Sequence, residues 1–240
     1  MKKVGIIIEA RVNSQRLFGK VLKKIKGKAT LELMIERLKS VSFLNDIIIA
    51  TSLNPLDNEI VKLAKENSVK YFRGSESDVM SRVLKAAQKF KIEIIISIPG
   101  DCPLIDPSCV DEVLKFFLRN SYDYVSSALS NTFPSGMETQ VYNTSVLMKA
   151  SKMTNSKEDR EHVTLFIYKN PNLFKVKSLV APKKFSRPEL RLVLDEPEDF
   201  KLISLIFKKL YSNNEVFSLS KIIQFLDDHP KYKKLNQHIK

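Results

Sequence analysis

The sequence has little of what would tie a chain to a transition metal, a disulfide framework or a membrane. It holds two cysteines in 240 residues, Cys102 and Cys109, and their separation of seven matches neither a zinc-binding motif nor a redox CxxC. Three histidines, His162, His229 and His238, are too scattered for a zinc site. Reduced thiols and no transition metal are expected. No apolar run approaches the roughly 20 residues of a membrane span. The basic start "MKKVGIIIEARV" has only a short apolar run, ends in charge and lacks a small-residue cleavage site, so it reads as a first β-strand. A cytoplasmic protein with no membrane partner is the expectation. Glycine and proline are not in excess, and no linker, low-complexity stretch or internal repeat divides the chain. The chain also lacks both common phosphate-binding glycine motifs, G-x-x-x-x-G-K-[ST] and G-x-G-x-x-G. The net charge of +13 is strongly basic, yet no basic motif interleaved with aromatics accompanies it. That charge reads as a generic basic surface, and no nucleic-acid partner is expected.

What is present is alternation. "KVGIIIE", "DIIIATS", "VKYFRG" and "IEIIISIPG" are β-branched runs without polar alternation. Between and after them stand "TLELMIERLKSV", "LDNEIVKLAKEN", "SDVMSRVLKAAQKF" and "PSCVDEVLKFFLRN", with apolar residues at helical spacing. Strands of this kind separated by helices predict an α/β domain with a mostly parallel sheet covered on both faces. Beyond about residue 121 the pattern loosens. "YDYVSSA", "METQVYN", "LFKVKSLVAP" and "ELRLVLDE" read as strands, and a helix is expected near 144–151, another within 154–170, and two more in "PEDFKLISLIFKKLY" and "SLSKIIQFLDD". The economical division is one domain over 1–240 with an inserted lobe around 128–175.

In parallel sheets, ligands bind outside the carboxyl ends of the strands, which directs attention to the loops at 10–20, 51–57, 73–78 and 99–106. The first of these, in "IIIEARVNSQRLFGKVL", can bring Arg11, Arg16 and Lys20 together, with Gly19 letting the backbone come close to a ligand. Dense negative charge such as a triphosphate calls for such donors, although a merely solvated basic loop has the same composition. In "IIISIPGDCPLIDP", Gly100-Asp101 ends a strand, where a carboxylate can bind Mg²⁺ or cap a helix, while Asp106 before Pro107 suits a cap. Asp195, in "ELRLVLDEPEDF", reads alone as an N-cap and, if paired in space with Asp101, as a second metal ligand.

In this order "IIIEARVNSQRLFGKVL", "FRGSESDVMSRVLKAA", "PGDCPLIDP", "REHVTLFIYKNP" and "LRLVLDEPEDFKLI" resemble nucleotide-sugar cytidylyltransferases, whose signature is typically A-R-x-x-S-x-R-L-P-G-K. The branch is the spore-coat polysaccharide type, related to acylneuraminate and 3-deoxy-manno-octulosonate cytidylyltransferases. The resemblance implies a Rossmann-like fold of the nucleotide-diphospho-sugar transferase type with a small dimerisation lobe. It implies transfer of CMP from CTP to a sugar or sugar-phosphate acceptor, with release of pyrophosphate and Mg²⁺ as cofactor. A guanylyltransferase on the same scaffold and a non-catalytic nucleotide-sugar binding protein are the alternatives. Residue by residue, it assigns Arg11, Arg16 and Lys20 to the triphosphate, Ala10, Gly19 and Gly100 to the nucleotide, and Arg73, Gly74, Ser75 and Asp78 to the nucleotide or acceptor pocket. Asp101 and Asp195 fall to Mg²⁺, and Arg11, Lys20 and Asp101 to catalysis. Glu138 and His162 fall to the acceptor, although His162 equally suits a packed helix position. A homodimer is expected, with "SSALSNTFPSGMETQVYN" as a candidate arm. Three departures stand out: Phe18 where proline is usual, Glu9 where the branch usually has Gln, and "FPSGMETQVY" in place of D-G-x-D-V-E.

Overall fold

The computed structural model describes residues 2–212 and 215–239. In chain order its strands are β1 (Val4–Glu9), β2 (Lys24–Ile25), β3 (Lys28–Ala29), β4 (Asp46–Ser52), β5 (Lys70–Gly74), β6 (Ile94–Pro99), β7 (Tyr124–Ser126), β8 (Gln140–Asn143) and β9 (Val176–Ser178). The helices are α1 (Thr30–Leu38), α2 (Asn58–Glu66), α3 (Val79–Lys89), α4 (Pro107–Arg119), α5 (Thr144–Met153), α6 (Lys157–Glu161), α7 (Leu165–Lys169), α8 (Pro197–Leu210), α9 (Leu219–Asp228) and α10 (Pro230–Lys233).

The isoleucine runs become the middle of one seven-stranded sheet in the order β5-β4-β1-β6-β8-β7-β9, and the first four of these are parallel. Because strand side chains alternate, an unbroken apolar strand must be covered on both faces. Ile6 and Ile8 pack with α1, α2 and α4, while Ile7 packs with α3 and α5; Ile47 and Ile49 are likewise separated from Ile48. Each such isoleucine is fully or nearly fully buried, a contribution of about 1.5–3 kcal/mol apiece before the entropy of ordering the chain is set against it. A third cluster joins α8 and α9 to the β2–β3 hairpin and to Leu190, Leu192 and Leu194.

Three expectations change. The segment 128–175 is not set apart as a lobe: β8 adds antiparallel to β6, and α5 packs against α3, because Tyr142, Val146 and Leu147 bury into the main core. "ELRLVLDE" forms no strand and makes one isolated bridge, Arg191 with Ser135. Its backbone is spent on irregular partners, Leu192 N–H donating to the Ser135 carbonyl (2.9 Å) and Leu194 N–H to that of Asp101 (2.8 Å). The helix within 154–170 is two short helices, α6 and α7, parted at Val163, whose φ of 42° no regular helix accepts. Among the described residues no helix is long and apolar enough to cross a membrane.

The parallel core has β4 and β5 on one side of β1 and β6 on the other. The sheet therefore changes winding direction at β1, and a crevice opens between the carboxyl ends of β1 and β6.

Candidate active site

The loop after β1 is fixed before it presents any charge. Buried Asp57 accepts hydrogen bonds from Val12 N–H (2.8 Å), Thr51 Oγ1 (2.9 Å) and Ser52 N–H (3.0 Å), tying the loops after β1 and β4 together. The loop closes when Gly19 N–H donates to the Val12 carbonyl (3.0 Å), with Gly19 at φ 65°. That left-handed turn suits glycine. It starts the tight turn Lys20–Leu22, so the loop is held without the usual proline, and Phe18 in that slot is 61% exposed.

Lys20 points from this turn into the crevice. Its Nζ lies 2.7 Å from Asp101 Oδ2 and 2.7 Å from Asp195 Oδ1. Burial alone would lower the ammonium, but the charges and hydrogen bonds of Asp101 and Asp195 outweigh it and hold Lys20 above the ordinary lysine range. The lysine is thus a clamped group rather than the exposed loop charge that its sequence context suggests. Asp195 also meets Arg16 NH2 at 2.9 Å and Arg191 at 3.6 Å. Asp101 reaches Lys20 because Gly100 lets the end of β6 lie against β1: its N–H donates to the Glu9 carbonyl (2.9 Å), and a Cβ there would stand 2.9 Å from that oxygen and 3.0 Å from Ala10 Cβ.

Neither carboxylate caps a helix. The N-cap of α8 is Glu196, whose N–H, like that of Asp195, is taken by the buried Asp199. The N-cap of α4 is Asp106, as expected, with Ser108 N–H donating to it at 2.8 Å.

Around the clamp lies a cleft of about 390 Å³. Ala10, Arg11, Arg16, Lys20, Gly100, Asp101, Asp195 and His162 are brought together as its lining. Arg11 forms no ion pair or hydrogen bond through its guanidinium among the described residues. Close by is Arg82, 2% exposed, which donates to the Ser75 carbonyl (2.5 Å) yet leaves its buried Nε without a partner. Burial lowers the Arg82 guanidinium, Glu9 opposes that, and Arg11 adds to it. Two guanidiniums crowding one wall, one with an open donor, make a place for an anion.

Other expected residues lie elsewhere. Arg73 donates to the Ser52 carbonyl (2.9 Å), the Asn54 carbonyl (2.8 Å) and Asn58 Oδ1 (2.7 Å), so its guanidinium braces the loop after β4 and does not line the cleft. Gly74 packs under Arg82, and Asp78 caps α3 through Ser81 N–H (2.9 Å), with Ser75 accepting from Asp78 N–H (3.0 Å). Glu138 accepts from Gly136 N–H (2.6 Å); burial raises its carboxyl, but it lines neither this cleft nor its neighbour.

That neighbour is a second cavity of about 410 Å³, which shares Glu9, Glu161 and His162 with the first. His162 is exposed at the junction, its imidazole free of hydrogen bonds among the described residues, which removes the packed-helix reading. Sequence reading missed Arg82, Asp57 and Glu161. Arg82 had a signal, standing one helical turn beyond the Asp78 cap at the carboxyl edge of the sheet. Asp57 had none, since its partners come from the loop after β1 and from the end of β4.

Among the described residues no three acidic, histidine or cysteine side chains gather as a metal cluster. Asp101 and Asp195 nevertheless offer the chemistry Mg²⁺ prefers: two carboxylates converging on one cationic point beside a place for phosphates, which supply the remaining oxygens. The pair fits such an ion.

Residues 5–228 match the model of a family described as cytidylyltransferase. The chain is 40% identical over 240 residues to an uncharacterized protein of Methanocaldococcus jannaschii, covering 100% of this chain and 96% of that one. It is 31% identical to the spore coat polysaccharide biosynthesis protein SpsF of Bacillus subtilis, covering 96% of each. A solved cytidylyltransferase structure from Leptospira borgpetersenii superposes with a TM-score of 0.93 at 30% identity, over 100% of both chains.

Proposed function

The chain belongs to the cytidylyltransferase family, and we propose that it transfers CMP from CTP to a sugar or sugar-like acceptor in surface polysaccharide synthesis, releasing pyrophosphate with Mg²⁺ as cofactor. The observation that carries this reading is the Lys20 clamp on Asp101 and Asp195 in a cleft that also holds Arg11, Arg16 and Arg82.

In this reading the triphosphate lies along the loop after β1. Arg11, Arg82 and the side chains of Arg16 and Lys20 neutralise its charge, and Asp57 fixes the backbone of the loop that carries Arg11, Arg16 and Lys20. Asp101 and Asp195 would hold Mg²⁺, which supplies Lewis-acid polarisation of phosphate oxygens. An acceptor hydroxyl in the second cavity attacks the α-phosphorus, the bond to the bridging oxygen breaks, and pyrophosphate leaves toward the arginines. His162, at the junction of the two cavities, is placed to accept the hydroxyl proton. The continuous seven-stranded sheet favours one catalytic domain over the whole chain, and a cytoplasmic homodimer is part of the same proposal.

Pyrophosphate release, measured across the four nucleoside triphosphates with sugars and sugar phosphates at graded Mg²⁺, tests it. Release that needs CTP and Mg²⁺ is expected. Release with GTP and a sugar phosphate would move the assignment to guanylyl transfer. Nucleotide binding without release from any pairing would leave a binding protein.

A further inference from the structure

We infer that the second cavity selects an acceptor that is neutral or carries an amino group, and turns sugar acids away. The inference rests on the nucleotidyl-transfer reading above and concerns which hydroxyl-bearing molecule that chemistry uses.

The cavity is lined by three carboxylates, Glu9, Glu158 and Glu161, and by neither lysine nor arginine. Recognition of a carboxylate ordinarily takes a charge-assisted donor, most often arginine in a two-pronged pair. Two cations on α6 and α7 are already committed. Arg160, on the same helix as Glu158 and Glu161, donates to the Ser151 (2.6 Å) and Thr154 (2.8 Å) carbonyls and stands 3.6 Å from Asp78. Lys169 approaches Glu158 at 3.6 Å and so offsets one of the three acids. Glu161 forms no ion pair among the described residues.

Glu9 forms the floor shared with the nucleotide cleft. Ser97 Oγ donates to its Oε1 (2.5 Å), and Oε2 has no hydrogen bond among the described residues. Burial raises its carboxyl, while Ser97 and Arg82 work against that rise. Whether protonated or charged, Glu9 can meet a hydroxyl or an ammonium; a carboxylate gains nothing from it beyond one contested proton.

The uncharged lining points the same way. Gln140 Oε1 accepts from Thr164 Oγ1 (2.6 Å) and Tyr124 OH (3.1 Å), which fixes the amide and leaves its NH₂ as a donor toward the cavity. An amide NH₂, a histidine and carboxylates together suit hydroxyl and amino groups. An anionic acceptor would sit against like charge with no lysine or arginine in the lining to compensate it.

The test first measures CTP binding by calorimetry and then titrates the protein loaded with a non-reacting α,β-methylene analogue of CTP. Glucosamine, glucose and glucuronate form the panel, with binding read by saturation-transfer NMR. Glucosamine and glucose are expected to bind at least tenfold more tightly than glucuronate. Glu161→Lys, at an exposed position, should improve glucuronate at least tenfold, and Glu9→Gln combined with Glu161→Gln should narrow the gap. Glucuronate binding as well as the others, an unchanged gap in both variants, or no binding by any of the three would overturn the inference. Failure to bind CTP at the first step would instead remove the nucleotidyl-transfer reading beneath it.

Discussion

Two cavities meet at Glu9, Glu161 and His162, and their linings differ in charge: the first sets four cations beside four carboxylates, and the second has carboxylates alone. The cleft over β1 and β6 draws Arg11, Arg16, Lys20 and Arg82 to one place, whereas its neighbour under α6 and β8 has carboxylates and no lysine or arginine. The two halves of one reaction would thus be sorted by where the cations are: the strongly anionic donor has the cleft that holds them, and a neutral or cationic acceptor has the other. The +13 net charge says nothing of this, because it averages over a surface on which the useful cations are few and local.

The strongest test of that contrast is Asp101→Asn, which keeps shape and removes a charge. Turnover should fall by about two to three orders of magnitude while nucleotide affinity changes far less. Steady-state rates beside calorimetric titration would read both, and near-normal turnover at limiting Mg²⁺ would make the carboxylate structural. Next comes Lys20→Met, which should weaken CTP binding about 10- to 100-fold through loss of a charge-assisted phosphate contact. Equal affinity in mutant and wild type would remove Lys20 from the donor side of the comparison.

Arg73→Ala sharpens the contrast from outside it. Its guanidinium braces a loop, so CTP affinity should stay within about twofold while stability drops by about 1–2 kcal/mol, measured by denaturant unfolding. A large loss of affinity with unchanged stability would return Arg73 to the nucleotide. The smallest effect is expected at Glu9→Gln. A carboxyl whose folded pKa is raised favours folding below its unfolded value near 4.3 and loses that advantage as pH climbs through the folded value. The Gln variant should therefore match or trail wild type at acid pH and gain on it as pH rises toward neutral. Parallel melting curves over pH 4–8 with no growing difference would show Glu9 to be solvated rather than buried.

The parallel core was legible because each apolar run states its own burial: no polar alternation in "GIII" or "EIII" leaves either face of β1 or β6 for water. Site residues one or two positions beyond those strands were legible for the same reason, and Ala10, Arg11, Gly100 and Asp101 line the cleft. What could not be read depended on partners distant in sequence. "ELRLVLDE" has strand composition, but Arg191, Asp195 and Asp199 are spent on an ionic network, with Arg191 Nε 3.0 Å from Asp199, and among the described residues it pairs with no strand beyond the bridge to Ser135. Arg73 and Arg82 are nine residues apart with similar chemistry; only the fold decides that one braces a loop and the other faces the cleft.

The Lys20 clamp has a consequence for how association should respond to ionic strength. Since the ammonium already satisfies Asp101 and Asp195, arrival of a polyphosphate with its divalent ion is an exchange of counter-ions within the protein, not the filling of an open positive site. Added salt weakens the incoming attraction and also weakens the two internal pairs that must open. The two influences oppose each other, so we expect a shallower salt dependence of CTP binding than four converging cations would suggest, and a steeper one in Asp195→Asn, where one of the internal pairs no longer has to be surrendered.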